Sequence, residues 1–519
     1  MKNSSLPIEL RNRLMLSFCL ALVTGGLIAW ASLAHNGAVF VRGWFVASVI
    51  GWLGWFALIT AWKWAGGGRA LAWLVVVCLV LRLGVGVGLS LLLPQVGYDE
   101  ETQQAGYLFY DAHMRDTQAW ELAQSDRSLL ASFGEEFSSD QYGGLLSLSA
   151  LIYRYFSPDA HRPYLVLLLA AFAAALGVPF LWAAVQTRWS RGLALFSAWL
   201  LVLYPDGIFF SAAQMREPFL LGLIPIATWG VLAFNRQRRG ALIAIGLSMA
   251  GMLLISNRVA VAVAGVLGVW FWLEYLYPRS KAWKFGGLAA LAVGAVLGVA
   301  LMWGWFSESS HWDRVLTMST GTKQYQIEKL GEEYIVPFLV GYGVTQPLLP
   351  AALTEDTIPV WRGIIVARAL GWWALLPMLA YALIAVIRAA KDPDRRIWLW
   401  LALAVFGWIL ISSARAGGDM TDNPRYRTIF LPWMAMLAAW AVRWAIANRD
   451  RWLAVVLIVE GIFMGFFIDW YVSRHLGMGN RLPFWKMLVY IVASSGLVVA
   501  GGIAWDAFDW FRRRRKLSG

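Results

Sequence analysis

Fourteen stretches of this chain, each close to the roughly 20 residues that cross a bilayer, are almost wholly apolar. They run over 14–35, 43–62, 70–94, 163–186, 190–208, 217–235, 240–256, 258–277, 285–306, 362–387, 397–413, 428–446, 452–472 and 486–505. In hydrocarbon a backbone N–H or C=O finds no water, so each run must pair its own polar groups and fold as an α-helix. Composition agrees: 59% of the 519 residues are hydrophobic and 14% charged, against roughly 45–50% and about 25% in a soluble domain. The expected fold is an all-α polytopic membrane protein with about fourteen transmembrane helices. Cys19 and Cys78 both lie inside apolar runs and read as packing residues.

The connections between runs carry charge of alternating kind. If the N-terminus is cytoplasmic, that side receives Lys63 and Arg69, Arg188 and Arg191, Arg236, Arg238 and Arg239, Arg388 and Lys391, Arg443, and the tail Arg512 to Lys516. Short loops rich in Lys and Arg stay inside. Both termini are therefore expected in the cytoplasm of a cell with an inner membrane. The net charge of +13 is explained by topology and anionic headgroups, so no nucleic-acid partner is expected.

Two connections on the other side are long, 95–162 and 307–361. Loops of that length usually carry function or order of their own. The first inverts the charge of the chain. The apolar run ends at Pro94 and is followed at once by Gly97-Tyr98-Asp99-Glu100-Glu101. A carboxylate at this boundary can act as a general base, and a pair of them can hold a divalent cation. Solvated loop acids are the plain alternative. Within the same loop Gly143 to Phe156 is apolar but too short to span, which suits a helix lying along the surface.

Other charged residues stand at the expected outer ends of the helices. Asp206 follows Tyr204-Pro205, and Arg216-Glu217-Pro218 opens the next apolar run. Glu217 there suits a helix N-terminus, which favours an anion. Arg258, Arg415, Arg425 and Arg427 run against the positive-inside bias. Their planar forks are suited to lipid phosphate. Arg82, deep in the third run, needs a partner or a watery cavity. The five histidines match no metal spacing, and no phosphate-loop or dinucleotide glycine motif occurs, so neither a bound nucleotide nor a certain cofactor is expected.

Taken in order, four features resemble the C-type glycosyltransferase superfamily, and within it the polyprenyl-phosphate branch of protein O-mannosyltransferases and lipid A aminoarabinose transferases. They are the pair Asp99-Glu100; the segment from Asp140, Gln141 and Tyr142 through Gly143-Gly144 to Tyr153-Arg154-Tyr155-Phe156; Tyr204-Pro205 with Arg216-Glu217-Pro218; and Asn423-Pro424-Arg425-Tyr426-Arg427 before Leu431-Pro432. The resemblance implies a sugar donor on a polyprenyl phosphate and a lipid, glycan or protein acceptor on the extracytoplasmic face. Asp99 would be the general base and Glu100 its support. Arg425, Arg427, Arg258 and Arg415 would bind donor phosphate, with Asp140, Tyr142, Asp206, Arg216 and Glu217 on substrate loops. Some relatives use a divalent metal, which Asp99 and Glu100 would hold here.

In that family the acid follows the first membrane helix, whereas here it follows the third. Residues 1–69 are therefore read as an added N-terminal helix pair, 70–446 as the transferase-like core, and 447–519 as a C-terminal pair with a basic tail. Two other readings remain open at this level. One is a polymerase or ligase moving a whole glycan from a lipid diphosphate. The other is a flippase or transporter, which would place charge near the bilayer midplane.

Overall fold

The computed structural model describes residues 8–134, 137, 143–319, 332–416, 422–479 and 482–517. Each of the fourteen apolar runs is a helix, and among the described residues there is no strand. Among the described residues eleven helices are long and apolar enough to cross a membrane, and two shorter apolar helices cover Arg191–Leu203 and Glu217–Ala233. The remaining run is the helix Leu431–Asn448. The chain is an all-α polytopic membrane protein.

It divides into two compact units, Met1–Arg314 with Arg425–Ala435, and Val315–Pro424 with Met436–Gly519. In the first unit, α1 (Ile8–Asn36), α2 (Phe40–Trp64) and α3 (Arg69–Val96) precede the long connection. That connection contains α4 (Glu101–Gln104), α5 (Tyr110–Gln124) and α6 (Gly144–Leu151), the last widening into a π-turn over Ile152–Phe156. The apolar segment from Gly143 is thus helical, as expected. Next come α7 (Tyr164–Arg188), α8 (Arg191–Leu203), α9 (Pro205–Phe209), α10 (Glu217–Ala233), α11 (Arg238–Ile255), α12 (Asn257–Phe271) and α13 (Lys281–Ser319). The run expected to end at 306 continues as helix to Ser319, so part of the expected 307–361 loop is helical. Apolarity stops before helicity does.

The core of this unit is α7, which packs against α2, α3, α8 and α10 and is the most buried of the spans. Small residues let α7 and α10 close on each other. A Cβ on Gly177 would lie 2.5 Å from the Leu221 carbonyl oxygen, and one on Gly222 would lie 2.2 Å from that of Ala173. In lipid, where apolar side chains gain little by leaving hydrocarbon, such close backbone packing is a main source of helix association. The N-terminal pair is fastened through the loop before α7. Arg162, fully buried, grips Asp159 with two parallel hydrogen bonds of 2.8 and 2.9 Å. Arg42 of α2 lies 3.0 Å from the same carboxylate.

The second unit holds α14 (Glu332–Thr345), α15 (Leu349–Thr354), α16 (Pro359–Arg388), α17 (Arg395–Ala416), α20 (Trp452–His475) and α21 (Phe484–Leu517), while α18 (Asp422–Thr428) and α19 (Leu431–Asn448) are divided between the units, with Arg425–Ala435 in the first. Trp398 of α17 stacks on Trp440 of α19 with ring centres 4.8 Å apart. The Arg388 guanidinium reaches Asp450 at 3.0 Å and Asp506 at 2.5 Å, tying α21 to α16.

The deep charge at Arg82 finds its partners in the backbone. Helix α8 ends at Leu203, and Pro205 has no N–H for the carbonyl of Leu201 one turn back. Arg82 Nη2 donates to that oxygen at 3.2 Å, and Nη1 donates to the Val202 oxygen at 3.4 Å. A transmembrane arginine thus caps a helix that a proline has cut short. Replacing Arg82 by Met should cost roughly 2–4 kcal/mol, the loss expected for buried carbonyls left without donors. Adding Pro205→Ala should recover part of it, because Ala supplies the missing N–H. Thermal unfolding in detergent of the single and double variants checks both outcomes.

Candidate active site

Helix α5 carries the chemistry of the long connection. Its buried residues are Ala112, Arg115, Asp116, Ala119, Leu122 and Ala123, one helical stripe that includes two opposite charges. Asp116 is fully enclosed. Its carboxylate accepts hydrogen bonds from the hydroxyls of Tyr107 and Tyr153, and His161 Nε2 lies 2.7 Å from it. The His161 ring stacks on Trp120 at 5.1 Å. Burial, and then the Asp116 charge, push both tyrosine hydroxyls well above their ordinary range, so they remain donors. Arg154 in the π-turn caps the other end of the helix. Its guanidinium donates to the carbonyls of Ala123 at 3.2 Å, Ser125 at 3.0 Å and Arg127 at 2.8 Å, and also to that of Leu122. Cations at a helix C-terminus satisfy its free carbonyls and its dipole together.

The clamped helix presents Asp111 from its first turn. The Asp111 carboxylate, about half exposed at 49%, receives Arg425 Nη1 at 2.6 Å. Arg425 Nε donates to the buried carboxylate of Glu217 at 2.7 Å, and Arg216 Nε stands 3.8 Å from that carboxylate. Glu217 is the first residue of α10. Segments more than 200 residues apart thus meet on one guanidinium. Burial opposes the Arg425 charge, but Glu217 and Asp111 outweigh it and raise its pKa. Burial likewise pushes the Asp111 carboxyl up, and Arg425, Arg115 and Arg216 together outweigh it and hold it below the usual carboxylate value. Three guanidiniums therefore act on Asp111, and the cluster is open to solvent on the Asp111 side.

The expected residues distribute as follows. Arg216, Glu217 and Arg425 converge in this cluster, and Asp111, which sequence reasoning did not single out, completes it. Arg427 is fully buried two residues on. Asp206 is fully buried in α9, with the Tyr204 hydroxyl 3.5 Å away. Arg258 opens α12 and is half-buried. Arg415 stands in the last turn of α17, in the second unit. Asp140 and Tyr142 lie outside the described residues. Asp99 and Glu100 sit between α3 and α4 with exposed side chains. Among the described residues no ion pair engages their carboxylates, and no three His, Cys, Asp or Glu side chains gather as a metal-binding group. The signal for α5 was its stripe: charged residues at positions 115 and 116 fall on the Ala112–Ala119–Leu122 face, where only paired charge is tolerated.

No protein-family model and no curated protein matches the sequence. Among solved structures, the archaeal oligosaccharyltransferase AglB from Archaeoglobus fulgidus, in complex with an inhibitory peptide and a dolichol-phosphate, aligns with 13% sequence identity and a TM-score of 0.34. The alignment covers 83% of this chain and 54% of that one, so the chain spans about half its length.

The depressed Asp111 pKa has a definite sign. A carboxyl held below its unfolded value adds stability above the ordinary carboxylate range, near 3.9, and loses it as pH falls through the folded value. Because Asp111 is half exposed, the contribution should be under about 1 kcal/mol. Unfolding of wild type and Asp111→Asn should differ near neutral pH and converge on acidification. A difference unchanged at low pH would contradict the ion pair.

Proposed function

We propose that the chain is a membrane glycosyltransferase that moves a sugar from a polyprenyl-phosphate carrier to a lipid, glycan or protein acceptor on the extracytoplasmic face, with inversion. The observation that carries this reading is the gathering of Arg425, Arg216 and Arg115 around Asp111 and Glu217, at the N-terminus of the apolar helix α10. A lipid phosphate needs a place where guanidinium forks and a helix N-terminus meet the edge of hydrocarbon. The arrangement of apolar helices and the acidic pair at the end of α3 support the same reading.

In this scheme the donor phosphate takes the Asp111 side of Arg425, and Arg216 steadies its charge. Asp99, exposed and without an ion partner among the described residues, removes the proton from the acceptor hydroxyl, and Glu100 supports it. The acceptor oxygen forms its bond to the anomeric carbon from the face opposite the phosphate. The carbon–oxygen bond to the phosphate breaks as that bond forms, and its electron pair stays on the phosphate. The guanidiniums bind that growing charge more strongly than the ground state, which is the condition for catalysis.

The test uses purified protein, labelled polyprenyl-phosphate sugars and candidate acceptors. Asp99→Asn should lower kcat by about 100-fold or more, the usual contribution of a positioned base, with donor KM little changed. Arg425→Lys, which keeps charge but loses the fork, should raise donor KM by about tenfold. Full turnover by folded Asp99→Asn alongside an inactive Asp111→Asn would move the base to Asp111. Lipid movement across liposomes with no sugar transfer would replace the transferase reading with a flippase.

A further inference from the structure

At the end of α10 away from Glu217, four helices leave a groove. Helices α2, α7, α10 and α11 line it, all within the first unit, and its volume is about 620 Å³. Trp64, Phe180 and Trp229 wall one end, with Trp64 centred 4.9 Å from Phe180 and 4.8 Å from Trp229. The lining is apolar apart from two hydroxyls, Thr60 and Ser248.

Helical Ser and Thr satisfy themselves on the carbonyl one turn back, as Thr24, Ser32, Thr187 and Thr228 do here at 2.8 to 3.0 Å. Neither Thr60 nor the fully buried Ser248 has a partner among the described residues, and both line the groove. Their oxygens are closed off by neighbouring atoms, so the surface that the groove presents is apolar.

Its mouth is basic. Helix α11 begins at Arg238, and the preceding Gln237 gives its N-terminal N–H groups no side-chain cap. Arg238 and Arg239 are exposed there, with Gly240 of the lining immediately beyond. Lys63, also exposed, precedes Trp64 of the lining on α2. Uncapped N–H groups beside the exposed Arg238 and Arg239 favour an anion, and an apolar slot runs from there along α11 for about 12 Å, from residue 240 to 248 at 1.5 Å per residue.

We infer that this groove seats an anionic phospholipid of the surrounding bilayer, its phosphate at the N-terminus of α11 among Arg238, Arg239 and Lys63 and one acyl chain between α2 and α11. A neutral phospholipid brings no net negative charge to Arg238 and Arg239, whereas an anionic one does. Bound lipid would bridge α2 to α11, and so stabilise the N-terminal pair against the rest of the unit by mass action.

The experiment is native mass spectrometry of delipidated, full-length protein titrated with phosphatidylglycerol or phosphatidylcholine of identical chains. Wild type should bind one phosphatidylglycerol at least tenfold more tightly than phosphatidylcholine. Arg238→Gln with Arg239→Gln should bring the preference close to unity. Ala57→Trp, at an exposed groove position on α2, should abolish tight binding of either lipid. Should either variant fail to fold by size exclusion, the exposed substitution Lys63→Gln should still reduce the preference several-fold. Equal affinity of wild type for the two lipids, or a preference that survives the basic and groove-filling substitutions in folded protein, overturns the site.

Discussion

A single buried guanidinium organises the first unit. Arg425 enters from a segment far along the chain and is held between Glu217, at the start of α10, and Asp111, at the start of α5. A buried charge without a partner is costly enough that breaking such a pair typically destabilises a protein by about 3–5 kcal/mol. The residues 425–435 are therefore committed to the first unit, and Trp433 just beyond donates to Thr228 Oγ1 of α10 at 3.0 Å. The two carboxylates meet different conditions. Glu217 is sealed away, whereas Asp111 is open to solvent on one side, where the proposed donor phosphate would replace it.

The proposed exchange requires that α5 itself stay fixed, and polar contacts gather there. Asp116 gathers two tyrosine hydroxyls and His161, while Arg154 holds the far end of the helix. These partners come from the turn before α5, the π-turn after α6 and the lead-in to α7. A short helix outside the membrane core is thereby fastened at both ends, as a site with a movable first-turn acid requires. Arg82 follows the same logic within the membrane: a charge that would be prohibitive alone is absorbed by carbonyls that Pro205 leaves free.

Much of the architecture was legible because hydrocarbon tolerates few solutions. Each apolar run became a helix, and even the short pieces at 191–203 and 217–233 were visible as runs. The end of α13 was not, since Glu308, His311 and Asp313 mark the end of apolarity but do not break a helix. Within the site, Arg216-Glu217-Pro218 and Asn423-Pro424-Arg425 stood out separately as charge against the local trend. Their meeting could not be read, because pairing across more than 200 residues leaves no local pattern. Asp111 was passed over beside the more conspicuous Asp99-Glu100. Its importance lies in the register of α5, and only a helical projection of residues 110–124 exposes the charged stripe.

The central claim is that the opening beside Arg425 receives a lipid-borne phosphate. A cryo-electron microscopy map of the protein with a non-transferable polyprenyl-phosphate sugar tests it most directly. Phosphate density is expected within hydrogen-bond reach of the Arg425 or Arg216 guanidinium, with Asp111 displaced from its 2.6 Å contact. Phosphate bound elsewhere, with the Asp111–Arg425 pair intact, would contradict it.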